Sequence, residues 1–163
     1  MANSEFIQET KEHINNVRRF IQIFKDCLTE RAVNHDALKM VPPESIAYER
    51  VTGKLKGLTY GSEEYKQALK DLGPALDHHF KNYRHHPEHF ENGIQDMNLV
   101  DIVEMVCDWK AASMRHGDGD IYKSLDINQE RFGFSDELKS IFANTIKLLE
   151  SIDTINGIEN RRP

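Results

Sequence analysis

Apolar residues recur at helical spacing along most of the chain, and that recurrence predicts an all-α fold. From Ser4 to about Arg31, Ile14, Val17, Ile21, Phe24 and Leu28 keep the period, while Phe20 and Cys27 widen the stripe. Ser4 supplies the cap and Glu5 the first-turn acid. A brief helix is expected over Glu44 to about Arg50, after which VTGKLKGLTYGSEE, with three glycines, reads as a loop. Ser62 caps a helix through Tyr65, Leu69 and Leu72, with Glu63 and Glu64 at its positive end. Gly73 and Pro74 either bend that helix or begin another, and a bend is expected.

A further helix over about Met97 to Arg115 sets Leu99, Ile102, Val106 and Trp109 on one face. Asp101, Glu104 and Asp108 gather on a second face with Met97, Met105, Ala111 and Ala112. That second face is either a solvated acidic stripe or an interior one that brings a carboxylate to a metal. Asp120 caps a short helix through Tyr122, Leu125 and Ile127, and Arg131 to Phe134 forms a turn. Ser135 caps the last helix, whose Leu138, Ile141, Phe142, Thr145, Leu148, Leu149 and Ile152 again keep the helical period. No strand pattern of comparable strength, repeat or low-complexity segment interrupts this series. The reading is a single-domain helical bundle over residues 1–163, with its core over about residues 5–153 and a fraying GIENRRP tail.

One stretch breaks the apolar and polar rhythm. Between Ala75 and Phe90 lie His78, His79, His85, His86 and His89, five of the eight histidines in the chain. On a helix, Ala75, His78, His79, Asn82, His85 and His86 share an arc, with Leu76, Phe80 and Tyr83 beside it. Pro87 disfavours helical torsions at His86, so the helix should stop near His85 and present His86, Glu88 and His89 from the turn that follows. Imidazole is the commonest metal ligand near neutral pH. A surface cluster without a ligand and a purely structural metal are the competing readings.

Two other stretches hold candidate ligands. His13 projects with Phe6, Val17, Phe20 and Phe24, so its ring is expected to point inward, where it needs a hydrogen-bond partner or a metal. ERAVNHDALKMVPP reads as a short helical segment ended by Pro42 and Pro43, and it carries His35, Asp36 and Lys39. A carboxylate beside an imidazole can reach the same ion at a helix end, or bridge to a second one. The HGDGD loop at His116 to Asp120 lacks the ligand spacing of an EF-hand and reads as a turn.

The net charge of −6 argues against an extended nucleic-acid surface or an anionic-membrane coat, since both need a basic face. A small phosphorylated substrate needs only a few local cations and stays possible on this balance. The stretch MANSEFIQETKEH lacks a signal-peptide pattern, no apolar run reaches the length of a membrane span, and cytoplasm is the default. Cys27 and Cys107 fit reduced, packed thiols better than a disulfide.

Taken in order, His13, His35-Asp36, His79, His85 or His86, and Asp101 or Asp108 resemble the HD-domain superfamily of metal-dependent phosphohydrolases. His35-Asp36-Ala37-Leu38-Lys39 is similar to the HDxxK form of many members. His13 with Val17 looks like the first-helix histidine of that superfamily. His85-His86-Pro87-Glu88 resembles the paired histidine and acid of its cyclic-dinucleotide phosphodiesterase branch, whose glycine-rich GYP segment is absent here. This resemblance covers roughly residues 10 to 110. A second one, over nearly the whole chain, is to a small family of bacterial and phage proteins of unassigned function; it rests on PALDHHFKNYRHHPEHF, DIVEMVCDWKAA, RHGDGD and INQERFGFS.

The superfamily resemblance implies one or two divalent ions (Fe, Mn, Co, Ni or Zn) held by His13, His35, Asp36, His79, His86 and Asp101, with Asp108 the alternative to Asp101. It implies a nucleotide or similar small phosphate ester held by Lys39, Asn82 and Arg84, with Lys39 also in the catalytic set. His85 or Glu88 would move a proton. Helical nucleotidases of similar build suggest a homodimer. A di-iron oxygenase and a non-catalytic metal-binding or interaction protein are the two other functions in view.

Overall fold

A computed structural model describes residues 4–55, 57–59, 61–115 and 119–155. The expected turn at His116 to Asp120 falls partly, and the GIENRRP tail wholly, outside the described residues. The chain is all-α: among the described residues there are helices and 3-10 turns and no strand. By their internal contacts the residues divide into two compact units, Met1–His35 and Asp36–Pro163.

The first unit is α1, Ser4–Asn34, which runs three residues further than its apolar stripe predicts. None of its residues is buried. Phe6, Val17, Phe20, Ile21 and Phe24 are exposed, and so is His13, against the expectation of an inward ring. The physical reason lies in the unit itself: a single helix offers its own apolar stripe nothing to fold against. Cys27 is exposed as well, and Cys107 of the second unit likewise, so both thiols are free but neither is packed.

The second unit opens with a 3-10 turn, Ala37–Met40, where a longer helical segment is expected. Next comes α2, Glu44–Leu55, which extends five residues into the stretch expected to be a loop. The helix continues through Gly53 because residues on both sides of it are packed: Val51 is buried with Ala68 and Leu72, and Leu55 lies against the same cluster. Ser62 caps α3, Glu63–Lys70, its hydroxyl accepting from the Tyr65 backbone N–H at 3.1 Å. Val51, Ala68 and Leu72 form a small core against Tyr48, Leu69 and Leu76.

Gly73 and Pro74 start a new helix, α4, Pro74–Asn82, instead of bending the old one. Gly73 adopts φ +48° and ψ −128°, which a residue with a Cβ rarely takes, and Pro74 sits at the first turn where its missing N–H costs nothing. Two 3-10 turns, Pro87–His89 and Gly93–Asp96, lead to α5, Leu99–Ser113. α6, Ile121–Phe132, takes in the first two residues of the turn expected at Arg131 to Phe134, and Gly133 caps it with φ +66°. α7 is Asp136–Ile155. Ile94, Met97, Met105, Val106, Ile121, Leu125, Phe134, Phe142 and Ile146 make the larger core, with the Trp109 ring stacked on Phe132 and edge-on to Phe142.

This packing decides the open question about α5. Its acidic face is interior: Asp101 is fully buried, Glu104 nearly so, and Met105 of the same face is 0% exposed. Leu99, expected on the apolar face, is 62% exposed.

Candidate metal centre

The histidine-rich segment works because its helix breaks early. On an unbroken helix His79 and His86 would share a face but sit about 10.5 Å apart along the axis. α4 instead ends at Asn82, three residues before the expected stop, and Tyr83 turns extended at φ −118°, ψ 115°. The Tyr83 hydroxyl accepts the Leu38 backbone N–H at 2.6 Å, which ties the turn to the Ala37–Met40 segment. The His89 ring closes the same turn through the Phe80 carbonyl, 3.0 Å from its Nδ1. The chain therefore doubles back, and the His86 Nε2 comes within 2.8 Å of the His79 Nε2.

Asp36 meets these rings from the other side. It caps the Ala37–Met40 turn in the left-handed region, φ 55° and ψ 17°, where an Asp is better tolerated than most residues. Its Oδ1 lies 3.3 Å from the His79 Nε2 and 3.6 Å from the His85 Nε2, while Oδ2 accepts from the Lys39 ammonium at 2.7 Å. Asp36, His79, His85 and His86 each offer one ligand atom, and these four atoms lie within 4.8 Å of one another. Asp36 and Asp108 also bring carboxylate oxygens within 4.8 Å.

Two buried carboxylates stand behind the rings. Glu44, the first residue of α2, is fully buried, and its Oε2 is 2.9 Å from the His79 Nδ1. Glu104 of α5 is 3.0 Å from the His85 Nδ1. A carboxylate can only accept, so the His79 ring donates from Nδ1 to Glu44 and keeps the Nε2 lone pair towards Asp36. Burial, reinforced by its neighbours His85 and His79, pushes the His86 imidazole down to about 2. His79 is also lowered, first by burial and then by the Lys39 cation. Both rings are thus neutral across physiological pH, the form that binds metals. The donor set of imidazole nitrogens and a carboxylate oxygen fits a divalent transition metal.

Most of the other expected site residues have partners of their own. Asp101 accepts both arms of the Arg84 guanidinium, at 3.1 and 2.9 Å, and completes a capping box with Asn98 at the start of α5. It is a structural acid, and Asp108 is the one whose charge acts on His86 and on Tyr48. Arg84, taken up by Asp101 and lying over the Phe90 ring, is not presented as a phosphate clamp. Asn82 donates back to the His78 carbonyl of its own helix. Glu88 pairs with Arg131, and His85 is buried among the potential ligands instead of standing ready to move a proton. Lys39 keeps its place, 28% exposed, between Asp36 and the face of the Tyr48 ring. His35 is the last residue of the first unit, bonded to Asp36 along the chain, and is half-buried. Sequence reasoning missed Glu44 altogether, for a lone glutamate opening a helix resembles any first-turn acid. A cavity of about 250 Å³ lined by Trp109, Ser113, Asp120, Lys123 and Asn128 shares no residue with the histidine cluster.

Comparison with known proteins adds a family. The model of a family of unknown function (DUF5662) matches residues 2–153. The chain belongs to this family. No curated protein and no solved structure matches it. The matched span includes every residue of the cluster and both of the carboxylates behind it. Among the described residues no helix is long and apolar enough to cross a membrane.

Proposed function

We propose that this DUF5662 protein is a metal-dependent phosphohydrolase acting on a nucleotide or similar small phosphate ester. The observation that carries the metal reading is the convergence of His79, His85, His86 and Asp36, whose ligand atoms lie within 4.8 Å of one another, with the His79 ring held in the ligating tautomer by the buried Glu44 carboxylate. The phosphoester reading comes from the resemblance of the His35-Asp36-Ala37-Leu38-Lys39 segment to the HD superfamily.

In this reading Asp36, His79, His85 and His86 would hold the first ion. The close approach of the Asp36 and Asp108 oxygens favours a second ion beside the first. A divalent cation there supplies a bound water of lowered pKa and an electrophile for a phosphoryl oxygen. Lys39 does two things: its ammonium orients the Asp36 carboxylate, and its partly exposed end offers a positive charge to a phosphate oxygen. Burial pushes both the His86 and the His79 imidazoles down, which favours the neutral form that a cation needs.

Elemental analysis of protein purified with Mn, Co, Fe or Zn, followed by phosphate release from a panel of nucleoside phosphates, tests this. About one or two ions per chain, with release abolished in Asp36→Asn, is the expected result. Absence of bound metal, or release unchanged in Asp36→Asn, would overturn the reading. Turnover that needs iron and oxygen would move the same site to the oxygenase class.

A further inference from the structure

Glu44 is the most fully buried acid of α2, and it serves two rings at once. Its Oε1 is 2.8 Å from the Nδ1 of His78 and its Oε2 is 2.9 Å from the Nδ1 of His79. These histidines are neighbours on α4, yet one faces the cluster at 1% exposure while the other is 39% exposed. We propose that Glu44 is a positioning residue: by accepting from both Nδ1 atoms it fixes the tautomer of His79 and so decides which nitrogen meets the cluster.

The argument follows from donor counting. A carboxylate has no proton to give, so both rings must donate to it from Nδ1. A neutral imidazole carries one N–H, which leaves the Nε2 of His79 as a lone pair. That atom lies 2.8 Å from the His86 Nε2 and 3.3 Å from the Asp36 Oδ1. In the other tautomer His79 would donate its Nε2–H to Asp36 and present no ligand atom to an ion. Asp36 draws the proton towards Nε2, and Glu44 draws it towards Nδ1; the shorter contact is to Glu44.

Glutamine at this position has the same shape but one acceptor and one donor. Only one of the two rings can then donate from Nδ1, and the other must accept there and carry its proton on Nε2. With Asp36 waiting as an acceptor, His79 is the ring expected to switch.

The consequence for metal rests on the reading above, whereas the tautomers do not, and the experiment separates them. Long-range nitrogen–proton NMR of chelator-treated protein near pH 8, above the ordinary imidazole range, reads each ring. Wild type should show Nδ1–H at both His78 and His79, and Glu44→Gln should show His79 switched to Nε2–H. Titration with Co2+ or Zn2+ should then give an affinity about 10–100-fold weaker in Glu44→Gln than in wild type. An Nε2–H tautomer at His79 in wild type, or Nδ1–H retained at His79 in Glu44→Gln, would overturn the proposal. Normal tautomers with no binding of either cation by wild type would uphold the role of Glu44 and sink the metal site.

Discussion

Asp36 is partly buried and Asp101 fully so, and at the scale of single residues their surroundings separate them. Asp36 faces imidazole nitrogens, whereas Asp101 is fully taken up by Arg84 and by the first turn of α5. Asp36→Asn should remove metal without unfolding the protein. Asp101→Asn should keep the metal content and lower stability by about 1.5–3 kcal/mol, the worth of charge-assisted bonds to a buried group. Metal analysis and urea unfolding on the two variants check this; metal lost from Asp101→Asn and kept in Asp36→Asn would reverse the assignment.

The lowered imidazoles also set a pH dependence. His86 stays neutral in the folded chain down to about 2 and His79 is shifted the same way, while the unfolded chain protonates both in the ordinary range near 6.5. Above that range neither state binds the extra proton and stability is unaffected. As pH falls through it, the unfolded state gains protons that the folded state refuses, and stability declines by up to about 1.4 kcal/mol per pH unit for each ring. Urea unfolding of metal-free protein at about pH 8 and pH 5 should show a smaller decline in His86→Asn than in wild type. Equal declines would show that His86 is not held neutral.

Helix ends, more than helix middles, build the site at the scale of elements. Asp36 caps a 3-10 turn, Glu44 opens α2, Tyr83 terminates α4, and His86 caps the Pro87–His89 turn. Sequence periodicity finds the bodies of helices well and their ends poorly, since ends depend on single torsions and on partners distant in the chain. Ser62, Asp120 and Ser135 were legible because their side chains bond to their own helices; Asp120, for one, accepts from the Tyr122 backbone N–H at 2.9 Å. The early stop of α4 was not legible, because it depends on Tyr83 meeting Leu38, forty-five residues away.

The cap of α5 offers a test at this scale. Asn98 accepts from the Val100 and Asp101 backbone N–H groups, and the Asp101 carboxylate answers to the Asn98 N–H. Asn98→Ala should cost about 1 kcal/mol in thermal or urea unfolding. A loss below about 0.3 kcal/mol would mean that packing of the acidic face holds the start of α5 without its cap.

For the molecule as a whole, a bound ion should appear as stability. A cation at a hundredfold excess over its dissociation constant adds about 2.7 kcal/mol if it binds the folded state alone. For a chain of this size that corresponds to a rise in Tm of roughly 5–10 °C. Differential scanning with and without Mn2+, Co2+ or Zn2+ measures it, and the shift should vanish in Asp36→Asn. A shift that persists there would place the ion outside the cluster.

The sequence alone determined the helical class, most helix bodies and the chemistry on offer, because apolar periodicity and residue type are properties of short stretches. It also pointed to Asp36, His79, His85 and His86 through their density and order. Only the tertiary structure decided which acids serve the rings and which serve the scaffold. Glu44, Glu104, Asp101 and Asp108 are chemically alike, and what distinguishes them is the partner that folding sets within 3 Å or so. The same holds for His13, whose ring the apolar stripe points inward and which is exposed. A helical stripe says that a face is apolar, but burial belongs to whatever packs on it, and periodicity within one helix contains no record of a second.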